Sequence, residues 1–467
     1  MNIIKYFYII FLVWCASCTP HNLIFDNQGS WFLVRKINNL IADSGLEANM
    51  SIKIVALETG RTLYGLNSKK LLMPASNNKL YTCGAALQIL GSDYQFKTSI
   101  VQQNNNLFIK GGGDPNLSIE QLDSLARIIG EKITFIDTLF VDANMFDTLN
   151  YGNGWMWDEG SNRYSAPISA LNINSNCIDF IVKPGQTGEN AFTEIYPKTS
   201  YINIKNISKT VQDTNNFKKL RIDRDWSGRT NYFTISGEIL DTASIDTFQR
   251  NIFDPVKYVG TVFKEQLENY NVQVNQIIKG HIYSENSIEL ALHNSITLKD
   301  LINNLMHESD NLAAESIIKT IGKSDSVAGN WKDGLRLTKK YLFDFTGLDT
   351  SDLRIVDGSG MSRYNLTSSE HITDFLSSIY FSKNKDLFLS SLPNGGSSKS
   401  TIEKRMEHLG SNIKAKTGHL SGVSNLSGFI FSEKNGTIAF SILMNGFIGS
   451  PKAYHRLQEA IIQQFYL

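Results

Sequence analysis

Ser76-Asn-Asn-Lys79, Ser309-Asp310-Asn311 and Lys416-Thr417-Gly418 stand in that order along the chain. Together they carry what is needed to attack a carbonyl that neighbours a carboxylate. A serine hydroxyl is a weak nucleophile until a base takes its proton. Lys79 follows Ser76 by three residues, so on a helix the two side chains share a face. A lysine desolvated beneath the serine, with other cations nearby, would be neutral enough to serve as that base. The backbone N–H groups of a helix N-terminus favour developing negative charge, and that of Ser76 can donate to an oxyanion. Ser309 and Asn311 add a second hydroxyl and an amide. Lys416 and Thr417 add a cation and a hydroxyl suited to a terminal carboxylate, and Gly418 lets a substrate backbone approach a strand edge closely.

Each motif alone has an ordinary structural explanation. Ser76 could cap a helix that carries a surface lysine, and Ser309-Asp310-Asn311 could cap the helix that Leu312-Ala-Ala-Glu315 would begin. Lys416-Thr417-Gly418 could be a surface strand with a turn. Ser382-Lys385 and Ser411-Lys414 repeat the first spacing, and Ser284-Asn286 and Ser382-Asn384 repeat the second. Lys-Thr-Gly occurs once. The order and context of the three motifs carry the reading, not any single one.

The elements that would position them read as follows. Apolar spacing from Trp31 to Ala42 predicts a helix, Ser51–Leu57 and Thr62–Leu66 predict two strands joined at Thr59-Gly60, and Ser76 is expected to open a helix that Gly91 ends. From about Phe96 the chain turns to short strands, with a helix over Ile119–Ile129. The cluster Gly111-Gly-Gly-Asp-Pro115 lacks the Lys-Ser/Thr of a phosphate loop and reads as a turn. Asp254-Pro255 restarts a helix through Asn269, and helices over Thr297–Asn304 and Asn311–Ile321 flank Ser309. Strands Asn425–Phe431 and Thr437–Met444 meet at an Asn435-Gly436 hairpin, and an amphipathic helix over Ala453–Phe465 closes the chain. The two ends thus supply an antiparallel sheet flanked by helices. The expected class is multi-domain α+β, with a catalytic part over 22–95 and 288–467. A large β-rich insertion over 96–287 separates the first two motifs, with a nested β-rich subdomain near 176–240.

A chain of 467 residues suggests two or three domains, and 42% hydrophobic with 19% charged residues fits a folded protein. The 45 basic and 45 acidic residues cancel, which gives no support for nucleic-acid binding. Lys5 precedes an apolar run, Tyr6–Trp14, that is too short to span a bilayer but fits a signal-peptide core. Cys15-Ala16-Ser17-Cys18 follows, similar to a bacterial lipobox although Cys15 stands where Leu is usual. The expectation is export, a signal segment over 1–18, lipid attachment at Cys18 and residence in the periplasm. Export would permit a disulfide between Cys83 and Cys177, but two cysteines so far apart in sequence are weak evidence for one; buried free thiols are expected, and nothing resembles a zinc ligand pattern.

The trio resembles the serine penicillin-recognising enzymes. More closely, the chain resembles the penicillin-binding protein 4 family of D-alanyl-D-alanine carboxypeptidases, with a β-lactamase/transpeptidase-like catalytic domain. Leu107-Phe-Ile-Lys-Gly-Gly-Gly-Asp-Pro-Asn-Leu117, Gly154-Trp-Met-Trp157, Tyr164-Ser-Ala-Pro167 and Asp357-Gly-Ser-Gly-Met-Ser-Arg363 carry that closer match, as does the long insertion after the first motif. The resemblance implies peptidoglycan stem peptides as substrates, β-lactams as acylating ligands and no cofactor. It makes Ser76 the nucleophile and Lys79 its base. Ser309 relays a proton to the leaving amine, and Asn311 holds the substrate amide. Lys416 supplies positive potential, and Thr417 takes the terminal carboxylate. The backbone N–H groups of Ser76 and His419 form the oxyanion hole. Glu159, Tyr164 and Arg363 match positions that contact the side chain of the stem peptide. Glu159 replaces an aspartate, with Asp158 a neighbouring candidate, and Ser421 replaces a glutamine of some relatives.

Two other readings remain at this stage. A β-lactamase would need fast deacylation, and neither an assignable Glu-containing loop nor the large insertion favours it. A catalytically silent wall-binding lipoprotein would have no need of all three motifs.

Overall fold

The computed structural model describes residues 29–213, 217–280, 286–323 and 327–466. The leader, with Cys15 and Cys18, lies outside the described residues. Among them, no helix is long and apolar enough to cross a membrane.

The two ends of the chain build one antiparallel five-stranded sheet in the order Ile413–Leu420, Val423–Ser432, Gly436–Asn445, Asn49–Ala56, Arg61–Leu66. Both faces are covered, so its inner strands are apolar almost throughout rather than alternating: Val423–Ser432 has a single half-buried position. One face packs on the helices Trp31–Asp43 and Lys452–Tyr466 through Ile37, Ile52, Tyr64, Ile461 and Phe465. Ser30 begins the first of these helices by accepting from the Leu33 N–H at 3.3 Å. The other face packs on Lys79–Ile89, Leu298–Glu308, Asn311–Gly322 and Ser369–Tyr380, through Leu80, Leu305, Ile317, Phe375 and Leu443. All twelve residues of Asn311–Gly322 except Asn311 itself are buried, which makes this helix the axis of that layer.

Sequence reading found the terminal helices and the hairpin, which turns at Gly436 with φ +66°. It did not place Trp331–Thr346, Ser369–Tyr380 or Lys385–Ser391. The first two do carry helix-start signals, with the side chains of Asn330 and Ser368 accepting from the Asp333 and His371 N–H groups.

Between Phe96 and Thr297 the chain forms a second body around a mixed sheet. Its order is Gln273–Lys279, Phe135–Asp142, Asn106–Lys110, Lys97–Gln103, Ile288–Asn294. The first three strands run parallel and the last two pair antiparallel. Ile288–Asn294 is therefore an edge strand of the inserted sheet, so the chain returns to the catalytic part later than the expected residue 288. Ile119–Gly130, with a Ser118/Gln121 capping box, and Pro255–Asn269 pack with this sheet. Short strands over Cys177–Asn251 form smaller sheets that share one core with it through Ile109, Leu122, Phe180, Phe233 and Phe263. Cys83 and Cys177 are both buried and free.

The inserted body is tied to the first beside the second motif. The buried Lys319 donates to Asp147 Oδ1 at 2.6 Å. Arg163 reaches Glu308 at 3.6 Å and Asp310 at 3.7 Å. The insertion thus ends up as one wall of the cleft that the helices and the edge strand Ile413–Leu420 enclose.

Candidate active site

Ser76 does not open the helix itself. It sits in a 3-10 turn, Ala75–Asn78, and the α-helix begins at Lys79. The cause is Ala75, whose φ of +46° is a left-handed conformation that alanine adopts at a cost. Its surroundings hold it there. Asn425 Nδ2 donates to the carbonyls of Met73 at 2.9 Å and Pro74 at 2.8 Å, and the Met73 N–H donates to Asn445 Oδ1 at 2.8 Å. Two glycines allow backbones to close on the turn. A Cβ on Gly360 would stand 1.8 Å from the Ala75 oxygen, and one on Gly418 would stand 2.5 Å from the Pro74 oxygen.

Ser76 and Lys79 still share a face. Lys79 Nζ lies 2.9 Å from Ser76 Oγ, 2.7 Å from Asn311 Oδ1 and 2.8 Å from the Ser359 carbonyl oxygen. The last two partners can only accept. A neutral amine has two N–H groups and one lone pair, so it can donate to both oxygens and turn its lone pair toward the Ser76 hydroxyl. Lys79 has no exposed surface, and burial lowers its pKa to about 8 against the opposing pull of Glu315, Asp357 and Asp310. Beneath it, burial pushes the Cys83 thiol up to about 12, so no thiolate offsets the lysine near neutral pH.

The other two motifs meet from the opposite side. Lys416 Nζ lies 3.0 Å from Ser309 Oγ and 3.1 Å from the Thr417 carbonyl oxygen. It is fully buried, and burial first, then the charge of Lys79, hold its pKa well below the usual lysine range. Among the described residues no carboxylate lies within ion-pair distance of it, so this cation is left for an incoming anion. Ser309 occupies the left-handed region at φ +63°, and Asp310 caps the following helix by accepting from the Ala313 N–H at 3.1 Å. Asn311 is used on both sides. Its oxygen takes Lys79, while Nδ2 donates to the Tyr164 carbonyl at 2.8 Å and meets the weak acceptor Met361 Sδ at 3.8 Å. Thr417 Oγ1 is 2.7 Å from Thr401 Oγ1.

The residues beneath the site escaped sequence reasoning. Glu315, fully buried, accepts from Trp331 Nε1 at 2.7 Å and from the backbone N–H groups of Gly358 at 2.9 Å and Ser359 at 2.7 Å. It therefore fixes the loop whose Ser359 carbonyl meets Lys79. Burial and then the Asp357 carboxylate push Glu315 up to about 7. Asp357 braces the same loop from inside, accepting from Trp155 Nε1, the Gly360 and Ser362 N–H groups and Asn365 Nδ2. The signal for Asp357 was present, since Asp357-Gly-Ser-Gly was singled out, whereas Glu315 reads in sequence only as a residue of an amphipathic helix. Glu315→Ala would strand three buried donors, each costing about 1–3 kcal/mol. Urea unfolding is expected to show a loss of about 3–5 kcal/mol, with penicillin acylation slowed more than tenfold; a variant as stable as its parent would contradict this bracing.

The remaining candidates surround this centre less tightly. Arg363 donates to the Ser421 carbonyl at 3.2 Å, on the turn after the third motif. Tyr164 is half exposed, and burial and Glu159 hold its phenol above the usual range. The His419 side chain is exposed, and its backbone follows Gly418 past the turn that carries Ser76. Among the competing pairs, Ser284 lies outside the described residues, and Ser382, Lys385 and Lys414 are engaged elsewhere. Ser382 Oγ donates to the Ile379 carbonyl, Lys385 lies over the Tyr380 ring, and Lys414 bonds Asn394.

A model of the D-Ala-D-Ala carboxypeptidase 3 (S13) family matches residues 33–464. A D-alanyl-D-alanine carboxypeptidase of an Actinomadura species is 31% identical over 439 residues, covering 88% of this chain and 81% of that protein. A D-alanyl-D-alanine carboxypeptidase of Haemophilus influenzae is 26% identical over 402 residues, 82% of each chain. The crystal structure of penicillin binding protein 4 from Haemophilus influenzae shares the fold, with a TM-score of 0.80 over 92% of this chain and 99% of that one at 23% identity.

Proposed function

The chain belongs to the D-Ala-D-Ala carboxypeptidase 3 (S13) family, and from that premise we propose that it removes the terminal D-alanine of peptidoglycan stem peptides through an acyl-enzyme on Ser76. The observation that carries the reading is Lys79, an unexposed amine 2.9 Å from Ser76 Oγ whose other two partners are acceptors only. Ser76 Oγ gives its proton to Lys79 Nζ as it bonds the carbonyl carbon of the penultimate residue. The backbone N–H groups of Ser76 and His419 receive the oxyanion. As the C–N bond breaks, Ser309 passes its proton to the leaving amine and regains one from the Lys79 ammonium, which returns Lys79 to the neutral form. Water then attacks the ester and loses a proton to Lys79, which passes it to Ser76 Oγ as the C–O bond breaks and the shortened peptide leaves. The terminal carboxylate meets Thr417 and supplies the counter-charge that Lys416 lacks. The second N–H of Asn311, with only a thioether near it, is free for a substrate carbonyl. Glu159, Tyr164 and Arg363 line the approach for the side chain of the preceding residue.

A β-lactam, being a strained amide beside a carboxylate, fits the same path and stalls as the acyl-enzyme. The same chemistry would serve a D-alanyl cross-link. Export with a lipid on Cys18 is consistent with a substrate outside the cytoplasm, and globomycin-sensitive processing of the full chain would test it.

Release of D-alanine from an N-acylated peptide ending in D-Ala-D-Ala tests the reading. Below pH 8 Lys79 holds its proton and cannot act as base, so kcat/KM is expected to rise close to tenfold per pH unit and to level off above about 8. No release at any pH from folded protein would sink the proposal.

A further inference from the structure

Behind Met361 the site opens into a cleft of about 780 Å³ whose walls include Glu159 as well as Trp155, Trp157, Trp226, Arg224 and Arg229. Met361 is also the side chain beside Asn311 Nδ2, so this cleft begins one residue from the reacting groups. Two of its features call for a ligand. Trp157 is 77% exposed, and its ring centroid lies 5.2 Å from that of Trp226 at 45°, so two indoles present a bent apolar shelf to solvent. Large exposed aromatics of this kind are unfavourable in water and are concentrated at binding surfaces. Arg224, only 5% exposed, bonds the Thr230 carbonyl and Asn251 Oδ1 but leaves Nε without a partner. Burial lowers its pKa, and among the described residues no carboxylate lies within ion-pair distance of it or of the exposed Arg229. Asp225 favours the charged form of Arg224 without pairing with it, and a buried cation that lacks a paired carboxylate is costly unless a ligand supplies one. Pockets that combine an apolar floor with a few fixed charges orient their ligands in this way.

We propose that this cleft binds the sugar-proximal end of the substrate, a peptide carboxylate against Arg224 and Arg229 and the apolar face of an N-acetylated amino sugar against Trp157 and Trp226. The inference rests on the carboxypeptidase reading and extends it from the D-Ala-D-Ala end to the end attached to the glycan. A pyranose ring presents a face of C–H bonds that packs flat on an indole, and the acidic stem supplies the missing negative charge. Trp226 and Arg229 stand on one turn, where the Arg229 N–H donates to the Trp226 carbonyl at 3.2 Å, so a single hairpin of the insertion delivers both contacts.

The test compares one pentapeptide ending in D-Ala-D-Ala with the same peptide carrying its N-acetylglucosaminyl-N-acetylmuramyl disaccharide, on the full soluble chain. The parent protein is expected to favour the sugar-bearing peptide at least tenfold in kcat/KM, through KM. Trp226→Ala and, separately, the exposed Arg229→Gln are expected to remove most of that preference. The rate of acylation by penicillin reports whether each variant has folded its reaction site. Equal kcat/KM for the two peptides in the parent, or an undiminished preference in both variants, would overturn the assignment. Indole fluorescence of Ser76→Ala, titrated with each peptide, separates the two proposals. Tighter binding of the sugar-bearing peptide without turnover in the parent would retain the cleft and remove the carboxypeptidase reading, and equal affinities would remove the cleft.

Discussion

Ser76→Ala is expected to abolish D-alanine release, lowering kcat by at least about 10⁴-fold, and to leave the fold intact. The size of the effect follows from what the serine does. Covalent catalysis divides amide hydrolysis into two steps, and no other hydroxyl stands in line to replace Oγ. Ser309 lies on the opposite side of the cleft and is engaged by Lys416 at 3.0 Å. The side chain is half-buried in a turn held by Asn425 and Asn445, whose bonds go to the carbonyls of Met73 and Pro74 and to the Met73 N–H rather than to Ser76. Deleting its oxygen therefore leaves the scaffold of the turn in place. Unfolding temperature should move little, and a steady-state assay with the peptide should find only background. Retention of more than about one per cent of kcat would mean that another group forms the ester.

Lys79→Met carries the second large effect. Methionine fills nearly the same volume with no proton to accept, so the acylation rate constant is expected to fall about 10³- to 10⁴-fold. The variant also separates two roles that a lysine could play. If Lys79 served only as a fixed positive charge, another group would be the base and the variant, though slower, would keep the parent's rise with pH. If it is the base, the parent loses rate as pH falls below about 8 and the variant loses that dependence altogether. Stopped-flow measurement of penicillin acylation across pH 6–10 gives both quantities. A variant that keeps the parental pH profile would assign the base to another residue, and Lys416, deprived of counter-charge, would be next to examine.

How much of this was legible in the sequence depends on how local each feature is. The three motifs, the terminal helices and the Asn435-Gly436 hairpin announce themselves within a few residues, by periodicity or turn chemistry. The bracing of Lys79 does not. Glu315 works on the N–H groups of Gly358 and Ser359, which are brought to it only by tertiary packing, and in sequence it is one polar residue on a helix. The same limit explains the displaced boundary of the insertion. Ile288–Asn294 pairs with Lys97–Gln103, and nothing near residue 288 specifies so distant a partner. Helical spacing around Ser76 predicts a helix there, but left-handed Ala75 delays it to Lys79, and the bonds from Asn425 and Asn445 with the close packing of Gly360 and Gly418 hold that turn. For Trp331–Thr346 the sequence does carry a local signal, the capping Asn330.

The surroundings of the two lysines indicate why the chain keeps two buried amines so close together. Each is desolvated, each is near hydroxyl oxygen, and neither has a paired carboxylate within ion-pair distance among the described residues. Lys79 nevertheless feels Glu315 and Asp357, whereas Lys416 feels, beyond its burial, the opposing charge of Lys79. In this arrangement a proton on one amine disfavours a proton on the other. The arrival of a substrate carboxylate beside Thr417 would favour the charged form of Lys416 and, through it, the neutral form of Lys79. Substrate binding would thereby help to create the base that attacks it.

The most direct measurement is the mass of the intact protein after incubation with penicillin, followed by peptide mapping of the adduct. The expected result is one ring-opened drug per chain, located on the peptide that contains Ser76 and absent from Ser76→Ala. An adduct mapped to any other residue, or folded protein that takes up no drug and releases no D-alanine, would contradict a serine acyl-enzyme at this site.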